Sequence, residues 1–420
     1  MTDDGVVENG EVWVTNGRIR EVGRGIGKAH PGVPVHDLGR AALLPGFVNT
    51  HSHVEYTLQR NSADGLSFWD WIESVGFRRS RTPPSEVMLA SARLGVELCV
   101  ESGVTSIGDC SYSGIAAEAI DSIGGRGVVF KELFGQSMGD DYPARVASVL
   151  DEVRALQSQV SQRVKIGISP HAVYSTNAEV LEMCAESHIP VAMHLAETRA
   201  EEQYTTRGAG PIADWRRELG HEPMVSGLTP TRVLERAGLL RQGVLLAHCV
   251  HLAQDEIDLI AASGASIAHC PRSNAYLGAG IAPLARFRRA GVRVGLGTDS
   301  AASCLRLDFF EEMRFALGLH RVAEDAGVLL AKDVLKLATR GGADALGLGG
   351  EIGRIETGMR ADMIAIDLAD MLPGEDIHLA VLTRSPADIV LRLVDGAVIQ
   401  SDVEGCEREL GELMERQASE

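Results

Sequence analysis

The stretch LLPGFVNTHSH, from Leu43 to His53, is an apolar run that ends in two histidines spaced two positions apart. A short apolar run bounded by polar residues reads as a buried strand, and Leu43–Asn49 is expected to form one. Alternate residues of a strand point to the same side. His51 and His53 would then present their imidazoles together, with Ser52 facing away. Two imidazoles so placed suit a metal ion, and a pair of core or surface histidines is the plain alternative.

Working outward, seven further runs repeat the pattern: Val104–Asp109, Gly127–Phe134, Val164–Ser169, Pro190–His194, Gly243–Cys249, Ala265–His269 and Val292–Thr298. Amphipathic stretches lie between them, with helices predicted at Glu86–Glu101, Pro143–Gln159, Ala178–Ser187, Gln254–Ala262 and Ala282–Ala290. Strands alternating with helices define an α/β fold, and eight of them predict a closed (β/α)8 TIM barrel over residues 45–349. An open, doubly wound sheet would want a glycine-rich phosphate fingerprint after an early strand. Gly23–Gly27 is glycine-rich but opens no helix in the pattern. The two ends read differently. Glu11–Val14 and Arg18–Val22 look like a hairpin, and Gly353–Ile355, Met363–Asp367, Ile389–Val394 and Val398–Ile399 look like short strands. Neither end can bury a core alone, so residues 1–44 and 350–403 are expected to build one small flanking β-sandwich. Residues 404–420 read as a charged surface helix.

Bulk composition narrows the function. Of 420 residues, 40 are Lys or Arg and 58 are Asp or Glu, for a net charge of −18. Such a balance argues against nucleic acid or an anionic membrane as a general partner. No apolar run approaches the roughly 20 residues of a membrane helix, and the acidic start MTDDGVVENG lacks the features of a signal peptide. A cytoplasmic location, a small-molecule substrate and a homo-oligomeric state are the expectations. The 7 cysteines are odd in number, contain no CxxC pair and read as small buried hydrophobes.

Chemistry is read from where polar residues close the predicted strands. His171 closes the fourth (GISPH), His194 the fifth (VAMHLAE), His248 the sixth (LLAHC) and Asp299 the eighth (GLGTD). Active sites of such barrels lie at the carboxyl ends of the strands, so these groups should converge with His51 and His53 on one mouth. His51, His53, His194 and Asp299 form a candidate ligand set for one divalent metal ion, zinc or iron. Glu197, three residues past His194, is placed to move a proton of an activated water. His248 reads as a core histidine, a ligand, or a group that holds the attacking oxygen or polarises the substrate. Asp299 can both ligate and accept a proton, and His171 reads as a substrate contact. His251 is expected to be a decoy, and His269, in HCPRSN, to structure its loop.

These strings, together with GTDSAAS (Gly297–Ser303) and the closing GEIGRIETGMRADMIAID (Gly350–Asp367), resemble the amidohydrolase superfamily in its mononuclear aminohydrolase branch. The resemblance implies one metal on His51, His53, His194 and Asp299, with Glu197 as proton shuttle and His248 assisting the attack. Bimetallic members carry a bridging lysine at the end of strand four, where this chain has Ile168-Ser169-Pro170-His171. LSFWDW (Leu66–Trp71) is similar to the loop of S-adenosylhomocysteine and methylthioadenosine deaminases in which the tryptophan matching Trp71 packs on the nucleoside. Ser303 is expected among the substrate contacts. Strand three departs from those enzymes, supplying Glu132 where an arginine for the amino-acid carboxylate would be wanted. Glu132 in F-x-E-x-x-G, Glu55 and HCPRSN look more like aminodeoxyfutalosine deaminases. Arg78, Arg79, Arg81 or Arg272 could then meet the substrate's benzoate. The implied reaction is hydrolytic deamination of an adenine-type nucleoside, best matched by 6-amino-6-deoxyfutalosine. S-adenosylhomocysteine, methylthioadenosine or adenosine, and guanine-type, pterin or chlorotriazine hydrolysis, are the alternatives.

Overall fold

In the computed structural model, which describes residues 5–77, 83–135, 141–218 and 220–419, a hairpin of β1 (Glu11–Thr15) and β2 (Arg18–Gly23) comes first. The glycine-rich stretch after it does open a one-turn helix, Ile26–Ala29, contrary to expectation. The Gly25 and Gly27 amides there donate to the Glu11 carboxylate at 3.1 and 2.6 Å, so the chain supplies its own anion. The expected strand Leu43–Asn49 is in fact two. β3 (Ala41–Pro45) joins a small sheet and β4 (Phe47–Ser52) opens the barrel, with Gly46 as the break. Only glycine fits there, because a Cβ would stand 2.1 Å from Thr105 Oγ1.

The barrel continues with β5 (Val104–Ser111), β6 (Arg126–Leu133), β7 (Val164–Pro170) and β8 (Val191–Leu195). β9 (Val244–His248), β10 (Ser266–His269) and β11 (Arg293–Leu296) complete one eight-stranded sheet in sequence order. Every neighbouring pair is parallel, as crossover helices require. Closure of β11 on β4 is made mostly by side chains. Asn49 Nδ2 donates to Thr298 Oγ1 at 2.8 Å, the Thr298 amide returns to Asn49 Oδ1 at 3.0 Å, and Thr50 Oγ1 donates to the Leu296 carbonyl at 2.8 Å. A backbone bond, Asp299 N–H to His51 O at 2.9 Å, also ties the seam. Inside, Val48, Cys110, Val128, Phe130, Ala192, Ala247 and Ala268 form a core distinct from the larger one between strands and helices.

β12 (Met363–Asp367), β13 (Ile389–Val394) and β14 (Ala397–Val398) pair antiparallel with β3 in the order β14-β13-β12-β3. Ile19, Ile355, Ala361 and Met363 are buried where the hairpin meets this sheet. Gly353–Ile355, expected as a strand, is irregular. The helix Val403–Ser419 is more than a surface appendage, since it buries Leu410 and Leu413 against Val87, Ala90 and Leu94 of the helix Ser85–Glu101. No described helix is long and apolar enough to cross a membrane.

Candidate active site

Simple alternation would aim His51 and His53 the wrong way. Val48 belongs to the barrel interior, so Thr50 and Ser52 should follow it inward and the histidines should face the helices. The β4–β5 register shifts between Asn49 and Ser52: three steps on β4 match the two from Ile107 to Asp109. This bulge turns the next residues over. Ser52 Oγ then donates outward to Asp109 Oδ2 at 2.8 Å, and the two imidazoles enter the mouth. His194 and Glu132 need no such device, since they continue the inward series of Ala192 and of Val128 and Phe130.

Glu197, His248 and Asp299 are aimed by left-handed backbone. Ala196, His248 and Asp299 have φ of 49°, 70° and 65°. Such conformations are rare outside glycine and cluster where a site over-determines them.

The result is a close group. His53 Nε2 and His194 Nε2 lie 3.2 Å apart, and Asp299 Oδ1 is 3.7 Å from His51 Nε2 and 3.6 Å from His53 Nε2. Donor atoms of His51, His53 and His194 all lie within 4.8 Å of one another, as do those of Glu197, His248 and Asp299 and those of Glu132, His171 and His194.

The donor set fits a metal ion. His51 Nε2 is buried without a hydrogen-bond partner. His194 Nδ1 lies 2.9 Å from the His171 carbonyl, which fixes the proton there and leaves Nε2 bare. Burial, reinforced by the surrounding histidines, pulls His51 and His194 well below the ordinary imidazole value, so both stay in the neutral, ligating form. Burial would push Asp299 up, but His248, His53, His51 and the Ser273 hydroxyl outweigh it and lower its carboxyl to about 2.

HCPRSN does more than shape its loop. Ser273 Oγ donates to Asp299 Oδ2 at 2.5 Å, and His248 Nδ1 lies 2.9 Å from Asn274 Oδ1, with Glu197 Oε1 at 3.5 Å. Neither Ser273 nor Asn274 was singled out individually from sequence. Their signal was the proximity of HCPRSN to a strand end. Glu201 was also missed: buried one turn beyond Glu197, it accepts the Glu197 amide at 3.1 Å.

Two expectations are corrected, those for Ser303 and Arg272. Ser303 is wholly buried and its hydroxyl donates to Asp299 Oδ2 at 2.9 Å, which makes it a prop for the carboxylate rather than a substrate contact. Arg272 is spent on the chain itself. It donates to the carbonyls of Cys304, Arg306 and Asp308 at 2.5–3.3 Å and pairs with Glu311 at 2.8 Å, so no benzoate partner remains there. Arg78, Arg79 and Arg81 lie outside the described residues. His251 binds the Ala279 carbonyl and His269 pairs with His320, both away from the cluster's bonds. Trp71 is half-buried and its Nε1 donates to the Ala302 carbonyl at 3.3 Å, tying the loop after β4 to the segment after β11. His171 Nδ1 lies 2.8 Å from Ser175 Oγ.

An (βα)8 barrel whose strand ends gather five imidazoles and three carboxylates is a barrel hydrolase with a candidate metal centre. The sequence pattern of the Amidohydrolase family matches residues 42–405, and the chain belongs to that metal-dependent family as a hydrolase of carbon–nitrogen bonds. Among its relatives is a 5-methylthioadenosine/S-adenosylhomocysteine deaminase of Nitratidesulfovibrio vulgaris, 36% identical over 418 residues, covering 96% of this chain and 89% of that one. The enzyme of the same name from Pelotomaculum thermopropionicum is 34% identical over 410 residues, covering 94% and 89%. Among solved structures, an adenosine deaminase from Xanthomonas campestris with bound zinc superposes with a TM-score of 0.83 at 27% identity, covering 99% of this chain and 95% of that one. The atrazine chlorohydrolase TrzN of Arthrobacter aurescens, at 23% identity and a TM-score of 0.81, shares the fold.

Proposed function

We propose that the protein is a hydrolytic deaminase of an adenine nucleoside, using one zinc ion held by His51, His53, His194 and Asp299. The observation that carries this reading is the meeting of Glu197, His248 and Asp299 within 4.8 Å beside the imidazole cluster. Bound there, the ion would supply a water nucleophile at neutral pH by lowering the water's pKa from 15.7 towards about 7.

The chain's own groups do the rest. Burial, with Asp299 and Glu201 nearby, pushes the Glu197 carboxyl well up, which makes its carboxylate a better proton acceptor. Glu197 takes a proton from the water and passes it to the ring nitrogen next to the amino-bearing carbon. His248, its Nδ1–H given to Asn274 Oδ1, offers Nε2 to orient the attacking oxygen. Asp299, held by Ser273 and Ser303, accepts the second proton and returns it to the leaving amine. Water is consumed, the C–N bond breaks, and ammonia and a ring carbonyl result.

The finer reading is 6-amino-6-deoxyfutalosine. It is supported by Glu132, buried in the mouth 4.0 Å from His53, which disfavours an amino-acid carboxylate at that place. The names of the relatives favour methylthioadenosine and S-adenosylhomocysteine as the second reading. The test is ammonia release by the zinc-loaded protein from these three nucleosides and adenosine, with guanine alongside. E197Q should keep its metal and lose about 10²–10⁴-fold in turnover. Ammonia from none of the adenine nucleosides, or full turnover by E197Q, would refute the proposal.

A further inference from the structure

His53 stands at a demanding place in the chain. It follows directly on β4, and a 3-10 helix, Val54–Gln59, starts at the next residue. A helix start leaves backbone N–H groups without partners, and the residue before it ordinarily offers one of them a side-chain oxygen. His53 holds that position, with φ −137°, and makes no such bond. Its imidazole is turned into the mouth instead, where Nε2 lies 3.2 Å from His194 Nε2 and 3.6 Å from Asp299 Oδ1.

The missing acceptor comes from the neighbouring strand. Asp109 of β5 is wholly buried, and its Oδ2 accepts the Val54 N–H and the Ser52 hydroxyl, each at 2.8 Å. The same hydroxyl also lies 3.1 Å from the Gly108 carbonyl. One oxygen thus grips the residue before His53 and the residue after it. Ser52 and Val54 are themselves inaccessible, so solvent is no substitute for that oxygen. Asp109 Oδ1 is equally buried and has no hydrogen-bond partner among the described residues. Burying a carboxylate with one oxygen unsatisfied lowers stability, so its place here is explained by what the other oxygen holds.

We propose that Asp109 is a positioning residue of the metal centre, fixing the backbone on both sides of His53 so that its imidazole stays in register with His194 and Asp299. The inference rests on the metal-site reading above. A ligand set has to be held to within about 0.5 Å to bind its ion well, and groups behind the ligands do the holding. Without the Asp109 oxygen, both neighbours of His53 lose a hydrogen bond, and the imidazole between them loses its fixed approach.

The test is the zinc affinity of the full-length protein, stripped of metal and titrated with zinc against a chromophoric chelator. D109A should bind zinc about 10–100-fold more weakly than the wild type. S52A, which removes one of the two bonds, should fall between them. D109N should bind nearly as the wild type does, because a single amide oxygen can accept both bonds. R126A, which breaks the buried pair with Asp362 at the start of β6, reports loss of stability alone and should keep wild-type affinity. Wild-type affinity in both D109A and S52A, or an equal loss in R126A, would overturn the proposal. Should D109A fail to fold, S52A decides: weaker binding upholds the role and unchanged binding ends it. A wild type that takes up no zinc would sink the metal-site reading and this inference with it, whereas a zinc-binding wild type with indifferent variants sinks the inference alone.

Discussion

Glu201 is almost wholly buried, and burial pushes its carboxyl from 4.5 to about 8 although the Ala196 and Glu197 amides pull the other way. An acid whose value is raised in the fold holds its proton more tightly there than when unfolded. Its contribution to stability is complete below pH 4.5 and is lost as the pH climbs to about 8. E201Q has no proton to lose and keeps an oxygen for the Glu197 amide. Its stability relative to the wild type should therefore rise between pH 5 and pH 8, by on the order of 1–3 kcal/mol. Denaturant unfolding at several pH values measures this, and two parallel pH curves would contradict it. At the same scale, the left-handed residues Ala196, His248 and Asp299 decide which way three reactive groups face. No propensity of alanine, histidine or aspartate announces those conformations.

Among the elements, β4 carries the most consequence. Its bulge puts His51 and His53 in the mouth, and its Asn49 and Thr50 side chains close the barrel on the segment that bears Asp299. Two ligand-bearing segments are thus joined in large part by one asparagine. N49A removes both bonds and leaves the buried Thr298 amide without its acceptor, which costs about 1–3 kcal/mol. Urea unfolding measures the loss. Turnover should fall with it, because Asp299 sits one residue from the broken seam; unchanged stability would mean that the seam is held elsewhere. The His-x-His spacing was legible from sequence, but the route by which it faces inward was not. Period-two reasoning assumes unbroken register, and a bulge is visible only when the partner strand is known.

Over the whole molecule, chemistry and stability occupy opposite ends of the barrel. The mouth gathers the reactive groups, while at the other end Arg126, the first residue of β6, reaches into the small sheet. Its guanidinium meets Asp362 at 2.6 and 3.2 Å and Asp395 at 2.6 Å, and Arg360 extends the network from Asp395 to Glu351. Arg126 and Asp362 are nearly inaccessible, so R126A strands a buried carboxylate and should cost about 3–5 kcal/mol, seen as an early thermal transition. R232A, which breaks only exposed pairs with Asp255 and Glu235, should leave the melting curve where it was. Equal effects from the two variants would show that burial does not set the difference.

Read alone, the sequence determined the α/β class, the eight-strand alternation and the residues whose chemistry converges, because hydrophobic period and strand-end polarity are local properties. It did not determine that Leu43–Asn49 splits between two sheets at Gly46, that Ser303 and Arg272 serve the chain itself, or that Glu201, Ser273 and Asn274 stand behind the reactive groups. Each of these depends on which distant backbone or carboxylate lies within about 3 Å, the reach of a hydrogen bond. That distance is decided only when the strands have closed into a barrel and brought residues 249 positions apart to one seam, as Asn49 and Thr298 are.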